Sequence, residues 1–131
     1  MIFVDTGAWF AAFIPNDSDH TAASQWLSEN REPLVTTDYV IDELLTLLRA
    51  RGEFARAGAL GDALLRGDIA EIHWVTPDDV LAAWNVFRRF HDKAWSFTDC
   101  VSRSVMERRQ IDTAFAFDDH FRQFGTVQVV P

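Results

Sequence analysis

Short apolar runs alternate along the chain with longer stretches in which apolar residues return at helical spacing. Ile2 to Val4 is the first run. Asp5, Thr6 and Gly7 close it, the profile of a buried strand running into a turn. A helix is predicted from about Asp19 to Ser28, with Ala22, Ala23, Trp26 and Leu27 on one stripe. Leu34 to Thr36 reads as a second strand. From Val40 to Arg51, Ile41, Leu44, Leu45 and Leu48 recur at helical spacing and Gly52 supplies the stop. Glu53 to Arg66 predicts a weaker helix, because Gly58 and Gly61 each cost about 1 kcal/mol relative to alanine in a helix interior.

The second half repeats the alternation. Glu71 to Val75 reads as a strand, and Thr76 then has the signature of an N-cap, with Pro77 at the first helical position and Asp79 at the third, opening a helix to about Phe90. Trp95 to Thr98 is a connector. A helix from about Thr98 to Arg109 follows, in which Ser96 and Asp99 have the spacing of a capping box with aspartate in place of the usual glutamate. Thr113 to Phe117 is a further strand, Asp118 to Gln123 a short turn of helix, and Thr126 to Val130 a last strand. Strands alternating with helices predict an α/β sandwich around a mostly parallel sheet. With 131 residues and no repeat, linker or low-complexity tract, the expectation is one domain.

Composition narrows the setting. The single Cys100 has no partner for an intramolecular disulfide, which favours a reducing compartment. The opening segment lacks a basic stretch and its apolar run is broken by Asp5, so it does not read as a signal peptide. No apolar run reaches the roughly 18 residues of a membrane span. A cytoplasmic protein with no membrane partner is expected. The five tryptophans and eleven phenylalanines exceed what a core of this size requires, so some are expected to serve a partner. Trp9, Phe10, Phe13 and Trp26 form the densest group, readable as core or as an apolar docking surface.

A formal net charge of −8, with 20 acidic against 12 basic residues, opposes binding to nucleic acid. Two things relieve the conflict: bound metal cancels part of the charge, and the bases are grouped, Arg49 with Arg51, Arg88 with Arg89 and Lys93, and Arg108 with Arg109. Each pair also reads as a solvated helix end.

The acids are where chemistry enters. Asp5 and Asp118 are each the first charged residue after a short apolar strand, which puts both at carboxyl ends, where open parallel sheets bind ligands. Glu43 lies early in the helix after the second strand, and Asp99 in the first turn of the helix after the aromatic connector. Taken singly, each has a structural reading as a cap, a turn residue or an ordinary helix acid. Converging, they need a cation, since two unit charges about 5 Å apart repel by roughly 3 kcal/mol at an effective dielectric near 20. Oxygen ligands without cysteine or paired histidine favour Mg²⁺ or Mn²⁺ over Zn²⁺. Such an ion suits hydrolysis of a phosphodiester. His20, His73, His91 and His120 are scattered without metal-ligand pairing, and His120 beside Phe121 reads as a packing or hydrogen-bonding residue. Cys100 beside Asp99 is expected to have a raised pKa and no nucleophilic role. The phosphate-binding pattern G-x-x-x-x-G-K-[ST] is absent.

Four segments in order resemble the motifs of the PIN-domain family, as found in VapC toxins: IFVDTGAWFAAF, TTDYVIDELLTLL, FTDCVSRSVMERRQI and TAFAFDDHFRQFG. The resemblance spans nearly the whole chain. It implies a three-layer α/β/α sandwich with a five-stranded sheet, an acid pocket holding Mg²⁺ or Mn²⁺, and endonucleolytic cleavage of RNA. Asp5 and Asp99 become the most direct metal ligands, Glu43 a ligand or water-positioning base, and Asp118 a ligand acting directly or through water; Thr6 and Thr98 become supporting hydroxyls that orient water. It also implies a homodimer and inhibition by a VapB-like antitoxin, for which the aromatic group around Trp26 offers a docking surface. Two positions are doubled: Asp118 is followed by Asp119, and Glu43 is preceded by Asp42. Asp118 is selected because it follows the predicted strand directly and stands two before His120-Phe121 as the motif requires, and Glu43 by its helical position ahead of Leu44 and Leu45.

Two rival functions share the same residues. A Mg²⁺-dependent aspartate phosphotransfer domain also places acids at strand ends, but Gly7 stands where a phosphatase of the haloacid dehalogenase kind wants its second aspartate, and the only lysine, Lys93, lacks the strand end a receiver needs. A PIN-like module kept for protein binding would suit the aromatic surplus and the acidic surface.

Overall fold

Ile2–Val4 is buried at every position, which marks a strand covered on both faces. This strand, β1, is the centre of the sheet in a computed structural model that describes residues 1–131. It is followed by α1 (Thr6–Phe13), α2 (His20–Glu29), β2 (Leu34–Thr37), α3 (Asp38–Ala50), α4 (Phe54–Leu65), β3 (Glu71–His73), α5 (Pro77–Arg89), α6 (Phe97–Arg108), β4 (Thr113–Phe115), a 3-10 turn over Arg122–Phe124, and β5 (Gln128–Val130). The five strands lie in the order β3-β2-β1-β4-β5. Every neighbouring pair is parallel, so the sheet is wholly rather than mostly parallel.

That order fixes the layers. From β1 the chain steps outward to β2 and β3, then crosses back over β1 to β4 and β5. With right-handed crossovers, the two directions put the intervening helices on opposite faces, giving the α/β/α sandwich. A core of 29 buried apolar residues joins the layers, with Phe3, Trp9, Leu44, Leu48, Leu64, Val101, Phe115 and Phe121 wholly enclosed.

Several expected boundaries move. Asp5, Thr6 and Gly7 do not form a turn: α1 begins at Thr6, with Asp5 in the N-cap position and extended at φ −83°, ψ 162°. The apolar residues that follow are helical because Ala8, Trp9, Ala11 and Ala12 are all buried there, and tertiary packing overrides a glycine near the helix start. Helix α3 starts earlier than Val40, since the Thr37 hydroxyl accepts a hydrogen bond from the Val40 N–H and caps it. Strand β4 stops at Phe115, so Asp118 does not follow the strand directly; Ala116 and Phe117 intervene. Of the turn of helix expected over Asp118 to Gln123, only Arg122 and Gln123 are helical, in the 3-10 turn that Gly125 closes at φ +83°.

Helix α4 runs unbroken through both glycines. Gly61 packs under Leu45, where an added Cβ would meet Leu45 Cδ2 at 3.3 Å, while Gly58 faces open space. Both predicted capping boxes are present, Thr76 with Asp79 and Ser96 with Asp99. The aromatic group near the N-terminus is largely interior. Trp9 is fully buried and its indole N–H points to Thr36 Oγ1 at 3.4 Å, and Trp26 packs on Phe115 with ring centroids 4.2 Å apart. Phe13 of this group is exposed, and the other exposed large apolar side chains include Phe54, Leu65, Trp74 and, on one side of α5, Leu81, Trp84 and Phe87. No helix is long and apolar enough to cross a membrane.

Candidate active site

The strand order places a switch point at β1. Connections leave β1 toward β2 on one side and return from β3 to β4 on the other, and crevices at such points receive ligands in open parallel sheets. Asp5 stands at the carboxyl end of β1, and its N–H donates to the Phe115 carbonyl of β4 at 3.1 Å. Its side chain makes no cap hydrogen bond although it occupies the N-cap position. An N-cap aspartate normally turns its carboxylate onto the following N–H groups. Here the carboxylate makes no such cap, with only the adjacent Thr6 N–H acting on it, and the residue is only 3% exposed.

Asp99 reaches the same crevice from the first turn of α6. It is buried, and its Oδ2 accepts the Ser96 N–H at 3.0 Å while the Asp99 N–H donates to Ser96 Oγ at 3.0 Å. The capping and the ligand readings of this residue are therefore compatible. Asp118 comes from the segment after β4. Its Oδ1 accepts the His120 N–H at 3.1 Å, an Asx-type turn that fixes the loop. Glu43 projects from the second turn of α3 and is half-buried.

The electrostatics show that these acids converge. Burial pushes the Asp5 carboxyl well above the usual carboxylate range, and Asp118, Asp99 and Glu43 push it further in that order, with only the Thr6 backbone N–H pulling the other way. Burial also raises Asp118, helped by Asp99 and opposed by the His120 ring and by backbone hydrogen bonds from His120 and Phe121. The neighbours Asp42 and Asp119 are exposed and do not contribute to Asp5. The structure thus brings together Asp5, Glu43, Asp99 and Asp118. Thr6 lies beside them with its Oγ1 buried and unpartnered, while Thr98 is half-buried with its carbonyl taken by Ser102 Oγ at 3.0 Å.

A histidine joins this group. His120 Nδ1 lies 2.7 Å from Asp99 Oδ2 and 4.0 Å from Asp118 Oδ2, and one ligand atom from each of the three residues falls within a 4.8 Å cluster. The sequence reading allowed His120 a hydrogen-bonding role but did not place it in the site. The D-x-H spacing from Asp118 was the signal, since an Asx turn folds the third residue back over the first.

The donor set fits a hard divalent cation. It offers carboxylate oxygens, a buried hydroxyl with no partner, and one carboxyl whose ionisation its neighbours oppose, all of which a bound cation would satisfy. Cys100, next to Asp99, is not part of it: burial and then Asp99 push its thiol up to about 11, against a smaller opposing effect of Arg103.

The basic groups divide. Arg108 pairs with Asp79 and Asp78, and Arg109 with Glu71 at 2.8 Å, so that pair braces the fold. Arg49 and Arg51 point apart, onto the rings of Phe54 and Phe10 respectively.

Comparison with known proteins agrees with this geometry. The PIN domain family model matches residues 2–127. The chain is 33% identical over 131 residues to the 23S rRNA-specific endonuclease VapC20 of Mycobacterium tuberculosis, covering all of this chain and 99% of that protein. The crystal structure of that VapC20, described as a toxin that cleaves the sarcin-ricin loop, superposes with a TM-score of 0.93 at 32% identity over the whole of both chains. More distant structures share the fold: FitAcB from Neisseria gonorrhoeae, with a TM-score of 0.73 at 16% identity over all of this chain and 97% of that one, and VapBC2 from Rickettsia felis, with 0.70 at 12% over 98% and 97%. A family match over nearly all residues and a full-length relative at this identity lead to one conclusion: the chain belongs to the PIN-domain family, as an endonuclease of the VapC type.

Proposed function

We propose that the chain is a single-domain, Mg²⁺-dependent endoribonuclease whose active site is Asp5, Glu43, Asp99 and Asp118. The observation that carries this is the convergence of four acids on the β1–β4 crevice, with Asp5 buried, uncapped and pushed toward protonation by the other three. A Mg²⁺ or Mn²⁺ ion held there would supply charge neutralisation at the phosphoryl oxygens and a water acidified for attack. The protein's own contribution is placement. Asp5 and Asp99 are fixed by β1 and by the α6 capping box, and Asp118 by its turn onto His120. Glu43, on the α3 side, would accept a proton from the attacking water, and the unpartnered Thr6 hydroxyl would orient that water. Thr98, beside Asp99, supports in the same way.

The relative's activity on 23S rRNA makes that RNA the first substrate to test. Purified chain would be incubated with ribosomal RNA in Mg²⁺ or Mn²⁺ and cuts mapped by primer extension, beside Asp5→Asn and Asp99→Asn. Discrete cuts by wild type, abolished in both variants and by chelator, are expected. Metal binding without cleavage of any RNA would instead identify a PIN-like binding module.

We further propose the setting of a VapC-type protein: a cytoplasmic toxin neutralised by a VapB-like antitoxin, acting as a homodimer. The exposed side of α5 supports a second copy, for Leu81, Trp84 and Phe87 recur at i, i+3 and i+6 and the last two rings stack with centroids 5.8 Å apart. Light scattering on wild type and Trp84→Glu tests it, a dimer reduced to monomer being the expected result.

A further inference from the structure

Beside the carboxylates the surface dips into a cleft of about 380 Å³, whose walls include Phe10, Arg51, Phe117 and Asp118. Asp118 belongs to both cleft and acid cluster. Gly7 lines the cleft as well, and the position where a Cβ would stand is 4.0 Å from Asp5 Oδ2, so the missing side chain leaves the way to Asp5 open. Whatever occupies this cleft lies next to whatever is bound at the acids.

Its chemistry is of two kinds. Phe10 and Phe117 are half-buried rings, and Phe117 is held by an edge-on contact with Phe115 at 5.8 Å. Arg51 is the only basic residue of the cleft. It is exposed, has no carboxylate partner, and its guanidinium lies 5.9 Å from the Phe10 ring centre, at the outer limit of a cation–π contact. It can turn to another anion at little cost. Asp17 and Asp19 also face the cleft, Asp17 Oδ1 accepting the Asp19 N–H at 2.9 Å. Their charge confines any phosphate to the Arg51 side, and their free oxygens suit the exocyclic amino groups of a base.

An inorganic anion would use the guanidinium but not the rings, and an apolar ligand the rings but not the guanidinium. A nucleotide uses both. We infer that the Phe10–Arg51–Phe117 cleft is the subsite for the unpaired nucleotide adjoining the scissile bond, its base stacked on the rings and its phosphate held by Arg51. The inference rests on the nuclease reading, and deepens it by assigning a contact that selects single-stranded or splayed RNA at the cutting position.

The test is binding of a fluorescently labelled single-stranded RNA about 12 nucleotides long, followed by anisotropy in Ca²⁺ over a range of salt. Cleavage of the same RNA and of ribosomal RNA is measured in Mn²⁺, and Mn²⁺ affinity by calorimetry. Arg51→Ala is expected to weaken RNA binding about tenfold and to reduce the slope of log affinity against log salt by about 0.7, with Arg51→Lys restoring the slope. Phe10→Leu and Phe117→Leu are expected to weaken binding about fivefold with the slope unchanged. Mn²⁺ affinity stays at the wild-type value in all four, and Arg31→Ala, which removes an exposed charge beside α2, leaves the slope as in wild type. Wild-type affinity and slope in a folded Arg51→Ala would overturn the subsite while leaving the nuclease intact. A wild type that binds Mn²⁺ but neither binds nor cuts RNA would overturn the nuclease reading itself, and the subsite with it.

Discussion

His120 holds Asp99. Its Nδ1 lies 2.7 Å from Asp99 Oδ2, the same oxygen that accepts the Ser96 N–H, so one carboxylate oxygen ties the start of α6 to the loop after β4. A ring N–H donated to a ligand carboxylate fixes its orientation, and loss of such a partner typically costs 10- to 100-fold in metal affinity. His120→Ala is therefore expected to raise the Mn²⁺ dissociation constant by about tenfold or more, with melting of the metal-free protein little changed. Calorimetry on wild type and variant checks it.

Asp5→Asn should separate stability from activity. In the metal-free protein the Asp5 carboxyl is raised above its unfolded value near 3.9. The folded state keeps a proton that the unfolded chain has released, so stability falls as pH climbs from about 4 through the raised value. Asparagine removes that penalty. At pH 7 without metal the variant is expected to melt a few degrees higher, about 1 kcal/mol or more, and to lose cleavage. Added Mg²⁺ should raise the melting point of wild type alone. A metal-free variant melting below wild type would contradict the repulsion described for the cluster.

Asp79 shows the opposite sign. Burial raises its carboxyl, but hydrogen bonds from the Thr76 backbone, His73, Arg108 and the Thr76 hydroxyl outweigh burial and hold it well below the usual range. Its contribution to stability is thus complete above the unfolded pKa near 3.9 and is lost as pH falls toward the depressed folded value. Asp79→Ala leaves His73 and Arg108 without their shared partner and is expected to cost about 3 kcal/mol at pH 7. Metal affinity should not change, because this ion-paired cluster joins β3, α5 and α6 away from the acids. Urea titrations at pH 7 and pH 3.5 would show the difference between wild type and variant shrinking at the lower pH.

The two glycines of α4 predict different results. Gly58 has nothing within 4 Å of an added Cβ, so Gly58→Ala should stabilise by about 0.5–1 kcal/mol through helix propensity and unfolded-chain entropy. At Gly61 the same change meets Leu45 Cδ2 at 3.3 Å, and the displaced leucine offsets the gain. Thermal melts of the two variants should rank Gly58→Ala above Gly61→Ala.

The parts legible in the sequence were those written by local physics. The helix carrying Ile41, Leu44 and Leu48 shows in apolar spacing, and the starts at Thr76 and Ser96 in cap residues whose hydrogen bonds the structure contains. Asp5 and Asp118 were placed at a common edge from strand-end logic alone. Helix α1 was missed because its apolar residues are not confined to one face: Ala8, Trp9, Ala11 and Ala12 are buried on more than one side, so no stripe distinguishes helix from turn. His120 was undervalued because its partner is 21 residues away, at the start of another helix. The docking role considered for Trp9 fails for a similar reason. An aromatic residue reads alike whether it faces Thr36 in the interior or solvent on α5.

The crossing of the chain from β3 back over β1 to β4 has a consequence for timing during synthesis. The ribosome delivers Asp5 first and Asp118 last among the acids, and β4 must insert beside β1 before the two share a crevice. Until that insertion a nascent chain carries isolated carboxylates with no common focus. The acid centre is thus assembled only by the closing of the sheet, and the emerging chain is expected to carry no nuclease site until its last strands have docked.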